Sequence, residues 1–200
     1  MADTGAVAKK AADVAIGNEE KFKALVDGLS ASSRRVRQGS AAALSLIAKE
    51  NADLLVPFSN EIVDALNRPE AQTRWECLDI LTNMVEADSR SCDKAIQGAE
   101  TALFDEESGL VRLAALRFLC KLGSTTENRS EKVWPLLDEA IQCYHGDFEF
   151  QDMLIAITDF ASGKISQGVK DALAERMSFD AANGKGALKR RAQAILDNLK

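Results

Sequence analysis

Few groups in this chain could do chemistry, and they are scattered. There is one histidine, His145, and there are four cysteines, Cys77, Cys92, Cys120 and Cys143. The nearest cysteines are 15 residues apart, and no Cys-x-x-Cys pair exists to begin a zinc site. Cys77 and Cys120 fall on or beside an apolar helix face, where a thiol acts as a small hydrophobe, so a reduced chain is the simplest account. His145 stands in a turn before Gly146 and reads as a helix cap rather than a base. Glu19-Glu20 and Glu106-Glu107 sit in first turns, where carboxylates complement the helix dipole without acting as acid or base. There is no Gly-x-Gly-x-x-Gly, phosphate loop or Gly-x-Ser-x-Gly elbow. No cofactor or metal is expected. What remains is Trp75 with Asp79 one helical turn on, a ring and a carboxylate on one face.

The elements that would position this pair repeat. Val36-Arg37, Thr73-Arg74, Val111-Arg112, Phe150-Gln151 and Leu188-Lys189 recur at spacings of 37, 38, 39 and 38 residues. Each begins a helical segment with a small or apolar residue three positions on. A second pair of segments, Pro57–Val63 and Pro135–Ile141, matches at 78 residues, two periods of 39. A fixed period in this range indicates stacked helical hairpins. Proline near the start of a helix costs little, since first-turn N–H groups lack partners within the helix.

Read along the chain, residues 6–16 form a leading helix with Val7, Ala11, Val14 and Ala15 on one face, and Gly17-Asn18 ends it. Residues 1–17 thus cap the open end of the first repeat. Five hairpins follow over 18–200, each with a helix A and a helix B, in a single domain. Helices A are expected at 19–29, 53–66, 91–104, 128–144 and 165–178. Helices B are expected at 34–50, after Asn67-Arg68-Pro69-Glu70, and at 110–122, 148–161 and 187–199. Buried positions should include Leu25, Leu44, Ile47, Ile62, Leu66, Leu78, Leu81, Leu116, Leu119, Leu137, Leu154, Ile155, Leu173 and Ile195.

Composition bounds the rest. Apolar residues make up 46% and charged residues 28%, with three prolines, so helix formers dominate. A net charge of −6 disfavours nonspecific binding to nucleic acid or anionic membrane. Arg34–Arg37 and Lys189–Arg191 are basic, but read as solvated helix faces. The start Met1–Gly5 lacks the apolar run of a secretory leader, and no segment approaches the roughly 20 apolar residues of a membrane span. A cytoplasmic protein is expected.

These residues resemble HEAT repeats, hairpins whose second helix opens with Val-Arg and continues Ala/Leu-rich. Val111-Arg112-Leu113-Ala114-Ala115-Leu116-Arg117-Phe118-Leu119 is the best copy. The resemblance covers residues 18–200 and implies an armadillo-like, right-handed α-solenoid with helices A convex and helices B concave. In that family an Asp ahead of Val-Arg pairs with a neighbouring Arg to make a ladder. Here only the third unit keeps the arginine with a comparable lead-in, Asp105-Glu106-Glu107, so the ladder is not expected. The stretch Trp75–Asp79 is also similar to the HEAT-like DNA glycosylases that remove alkylated purines. That likeness implies Asp79 as catalytic acid, Trp75 against the nucleoside and Arg112 on phosphate. The family's second tryptophan is missing from the following unit, and the acidic balance does not suit a duplex-DNA groove.

Positions one, five and nine after each repeat arginine should face outward on helix B. The first gives Gln38, Trp75, Leu113, Asp152 and Arg190. The fifth gives Ala42, Asp79, Arg117, Ala156 and Ala194. The ninth gives Leu46, Asn83, Lys121, Phe160 and Asn198. The middle of this stripe carries an aromatic and both charge signs, which points to a protein or peptide partner docking at Trp75, Asp79, Asn83, Arg117, Lys121 and Asp152. A non-catalytic scaffold is therefore the expected role, with glycosylase activity as the alternative.

Overall fold

The computed structural model describes residues 4–200. Residues 1–3, part of the expected 1–17 cap and of the start read for a leader, lie outside the described residues. Among the described residues every regular element is helical, as the uninterrupted helical spacing predicts. The chain packs into two compact units, one ending at Ala102 and the other spanning Leu103–Lys200.

In the first unit, α1 (Thr4–Ala15) lies on α3 and also touches α2. Its buried stripe is Ala8, Ala12 and Ala15, while Val7 and Val14 face outward, so the expected face is corrected by a small rotation. Alanine lets two helix axes approach where valine would hold them apart. Gly17, at φ 81°, takes the left-handed turn that ends the element. The first hairpin is α2 (Glu19–Gly28) and α3 (Arg34–Asn51), close to expectation. Asn18 caps α2 by accepting from Lys21 N at 3.0 Å.

The second helix A is broken. Residues Ala52–Phe58 form a 3₁₀ helix, followed by α4 (Ser59–Asp64) and a 3₁₀ turn at Ala65–Asn67. Pro57 explains the break, since it has no N–H and its ring crowds the carbonyl four residues back. Helix α5 (Ala71–Cys92) carries a kink at Asp88 (φ −153°, ψ 90°). Asp88 Oδ1 accepts from Arg90 N at 3.0 Å and Ser91 N at 3.4 Å, so it caps a fresh turn rather than continuing helix B. The third helix A then forms as a 3₁₀ turn, Asp93–Ala95, and α6 (Ile96–Leu103), shorter than the expected 91–104.

The second unit holds α7 (Gly109–Gly123), α8 (Glu127–Cys143), α9 (Phe150–Ala161), α10 (Gln167–Asn183) and α11 (Gly186–Asn198). Pro135 sits in the interior of α8 rather than near its start, on the exposed side. At Gly123 an added Cβ would collide with Val133 and Phe160, so α7 ends where only glycine fits against α8 and α9.

The core matches expectation at Leu44, Ile47, Ile62, Leu66, Leu78, Leu81, Leu116, Leu119, Leu137, Leu154, Leu173 and Ile195, all buried. Two positions are corrected. Leu25 is only half-buried, and Ile155 is 46% exposed. Helix α9 turns Phe150, Met153, Leu154, Ile157 and Phe160 inward, and the volume of two phenylalanines sets its rotation. Ile155 is then left outside between Asp152 and Asp159.

Candidate recognition face

The rotation of each helix B decides which side chains a partner could meet, and half-buried guanidinium groups help to fix it. Arg37 donates to the Ala31 and Ser32 carbonyls at 2.7 and 2.9 Å, closing the turn before its own helix. It also donates from Nε to Glu70 Oε2 at 3.1 Å, and pairs through its terminal nitrogen with Oε1. Glu70 is the residue from which α5 starts. In the second unit Arg112 does the same. It donates to the Asp105 carbonyl at 2.8 Å and to Glu149 Oε1 at 2.7 Å, and its guanidinium stands 5.0 Å from the Tyr144 ring centre. Glu149 is the residue from which α9 starts.

A ladder therefore exists where none was expected, built on Glu rather than Asp. Its signal was in the sequence: an acid at the last position before helix B, four residues before Arg74 and two before Gln151. By sequence alone Glu70, next to Pro69, marks only a helix start. The Arg37 hydrogen bond holds the Glu70 carboxyl below its ordinary value, and Glu70 in turn raises Arg37. Where the repeat arginine is replaced by Gln151, Arg191 of the next hairpin donates to the Gln151 side chain at 3.0 Å and to its carbonyl.

In the first unit this arrangement opens a groove of about 570 Å³. Its floor is the outward stripe of α3: Gln38, Gly39, Ala42 and Leu46. Val7, Ala8 and Ala11 of α1 contribute from one element, and Gln72, Trp75, Glu76 and Asp79 from α5. Trp75 is half-buried, its residue neither enclosed in the core nor free on the surface. Asp79 shares the groove with it. Asn83 is also half-buried, but its Nδ2 donates to the Asp79 carbonyl at 2.8 Å, so its amide is turned back on its own helix.

The second unit presents a different face. Arg117 and Asp152 are exposed and Lys121 is half-buried. Leu113, Ala156 and Phe160, read as outward, are buried, because bulky apolar residues follow the core wherever the helix can turn to let them. The outward stripe of α9 is Asp152, Ile155 and Asp159.

Cys77, Cys92 and Cys120 are buried and Cys143 is exposed. Burial pushes the Cys77 and Cys120 thiols far up, which leaves them without thiolate character. His145 does not cap its helix. Its Nε2 lies 3.1 and 3.2 Å from the two oxygens of Asp180 on α10, joining successive hairpins. Arg112, the phosphate contact that the glycosylase likeness would imply, is held by Glu149 and the Asp105 carbonyl. Among the described residues no group of three His, Cys, Asp or Glu side chains could hold a metal ion. No helix among them is long and apolar enough to cross a membrane.

The all-helical chain has the fold of an armadillo-like α-solenoid. The chain is similar to solved structures of that class. A designed armadillo repeat protein in complex with the peptide (KR)4 matches at 18% identity and TM-score 0.74, covering 96% of this chain and 91% of that one. Computationally designed armadillo repeat proteins for modular peptide recognition match at 17% identity and TM-score 0.73, covering 96% and 92%. An engineered protein solved by the Northeast Structural Genomics Consortium matches at 17% identity and TM-score 0.74, covering 99% and 92%. No protein-family model matches the chain, and no curated protein matches its sequence.

Proposed function

We propose that this chain is a non-catalytic recognition module that binds a protein or peptide on its helix-B face, the face that is concave in HEAT repeats. The observation that carries this reading is Trp75, half-buried beside an open groove whose lining is mostly apolar. A tryptophan in that setting offers a partner large contact area at small entropic cost. Asp79 and Asn83 extend the contact along α5. In the second unit, Arg117, Lys121 and Asp152 form a contact surface of their own, whose mixed charges suit a specific and moderately salt-sensitive protein contact. The peptide-recognition proteins among the structural relatives add support at the level of class.

Affinity capture compares the wild type with Trp75→Ala and, separately, Arg117→Ala. Trp75→Ala should lose its specific partners while keeping its helical circular dichroism. Equal capture by both proteins would remove Trp75 as the anchor. Incubation with alkylated duplex DNA tests the other activity, since release of a purine base would replace the recognition reading with glycosylase chemistry.

A further inference from the structure

The groove on the first unit also specifies what kind of chain fits it. We infer that its occupant is an amphipathic α-helix lying along α3, with basic residues on the flank that faces α5. This deepens the recognition reading and depends on it.

Three observations carry the inference. The first is polarity. Val7, Ala8, Ala11, Gly39, Ala42 and Leu46 make the lining mostly apolar, although Gln38, Ser40, Ser45 and Gln72 also line the groove. An extended peptide would leave the backbone N–H and C=O groups that face these apolar residues without partners. A helix satisfies its own backbone and presents only side chains.

The second is shape. Gly39, Ala42 and Leu46 follow one another at three and four residues along α3, so the floor is the ridge of a helix with small residues at two of three places. Arg35 and Lys49 lie on the same face at its two ends, about 21 Å apart at 1.5 Å per residue. That length takes about four turns of a partner helix. Small residues in the floor allow its axis to come close.

The third is charge. Arg35 and Lys49 place cations at the ends of the floor, while Glu76 and Asp79 bring carboxylates to the same groove from α5. A helix of complementary charge carries acids about fourteen residues apart at its ends. Its Lys or Arg residues lie between these ends, on the α5 flank. A uniformly basic or uniformly acidic segment meets repulsion at one of the two sets.

The test is a display library of 16-residue peptides selected on the whole protein. One half is patterned as helices with a leucine/alanine stripe and randomised flanking charges. The other half has proline at every third position to hold it extended. Selected peptides are then titrated against a Trp134→Phe background, in which Trp75 is the sole tryptophan. Enrichment of helical peptides with a basic flank supports the inference, provided that Trp75 fluorescence shifts and Glu76→Lys weakens binding by roughly tenfold. Enrichment of the proline-bearing half, with the same fluorescence shift, overturns the helix while leaving the groove as a recognition site. Helical peptides whose binding ignores both Glu76→Lys and Trp75→Ala overturn the placement. Recovery of no peptide from either half overturns the inference and counts against the recognition reading too.

Discussion

Replacing Thr73 by valine should make this protein more stable. Thr73 occupies the first turn of α5, fully buried, and its hydroxyl has no hydrogen-bond partner. A buried hydroxyl without a partner costs about 1–3 kcal/mol relative to solvation in water. Valine has the same shape, replaces the oxygen with a methyl group, and has nearly the same helix propensity. Of the equivalent positions, Val111 and Phe150 are apolar and buried. The net gain should be about 1–2 kcal/mol. For a chain of this size that is a rise of roughly 2–8 °C in melting temperature. Urea unfolding followed by circular dichroism and by tryptophan fluorescence should show a higher midpoint at unchanged slope. Thr73→Ser, which keeps the hydroxyl and loses a methyl, should fall below the wild type by about 1 kcal/mol. A valine variant that is no more stable than the wild type would show that the hydroxyl is satisfied, and the argument would fail.

Leu116→Ala, at a fully buried site in α7, should cost about 2–5 kcal/mol in the same assay, and a loss below about 1 kcal/mol would show its side chain is not packed as described. Glu70→Gln should be less stable than the wild type at neutral pH. Because Arg37 lowers the Glu70 carboxyl, its contribution is complete above the ordinary carboxylate range and is lost as the pH falls through the lower folded value. The gap between the two proteins should therefore narrow below about pH 4.5; a gap that is constant with pH would mean the ion pair contributes nothing. A thiol reagent under native conditions should modify Cys143 alone, and modification of Cys77 or Cys120 at a similar rate would contradict their burial.

The period of the arginine series was legible because each repeat needs the same apolar positions to stack on its neighbours. Helix limits at Arg34, Glu127 and Gly186 followed from turn and cap residues within a residue or so. Less visible was the rotation of each helix about its axis. Phe160 counts as outward from the arginine phase and is buried, because the aromatic volume of α9 outweighs repeat phase. The break at Pro57 and the restart at Asp88 were also hidden, since a proline matched between repeats can sit in a 3₁₀ turn in one and in a helix interior in the other. Of the candidate face, Trp75 and Asp79 line one groove. The contribution of α1 to that groove was missed, for Val7 had been assigned to the buried side of its helix.

The pairing of Arg37 with Glu70 bears on how such a chain can change length. The second hairpin carries Glu70 before its helix B and, within the first turn of that helix, Arg74 at the repeat position that Arg37 holds in the first. A tandem duplication of residues 52–92 would set Arg74 of the first copy against Glu70 of the second, by the geometry that Arg37 already uses. The inserted cassette would arrive with its own joint. The fourth hairpin could not be copied in this way, because Gln151 stands where the guanidinium is needed and draws on Arg191 from outside. Growth of the array, by gene duplication or by engineering, is thus open in the middle of the first unit and closed near the C-terminal end.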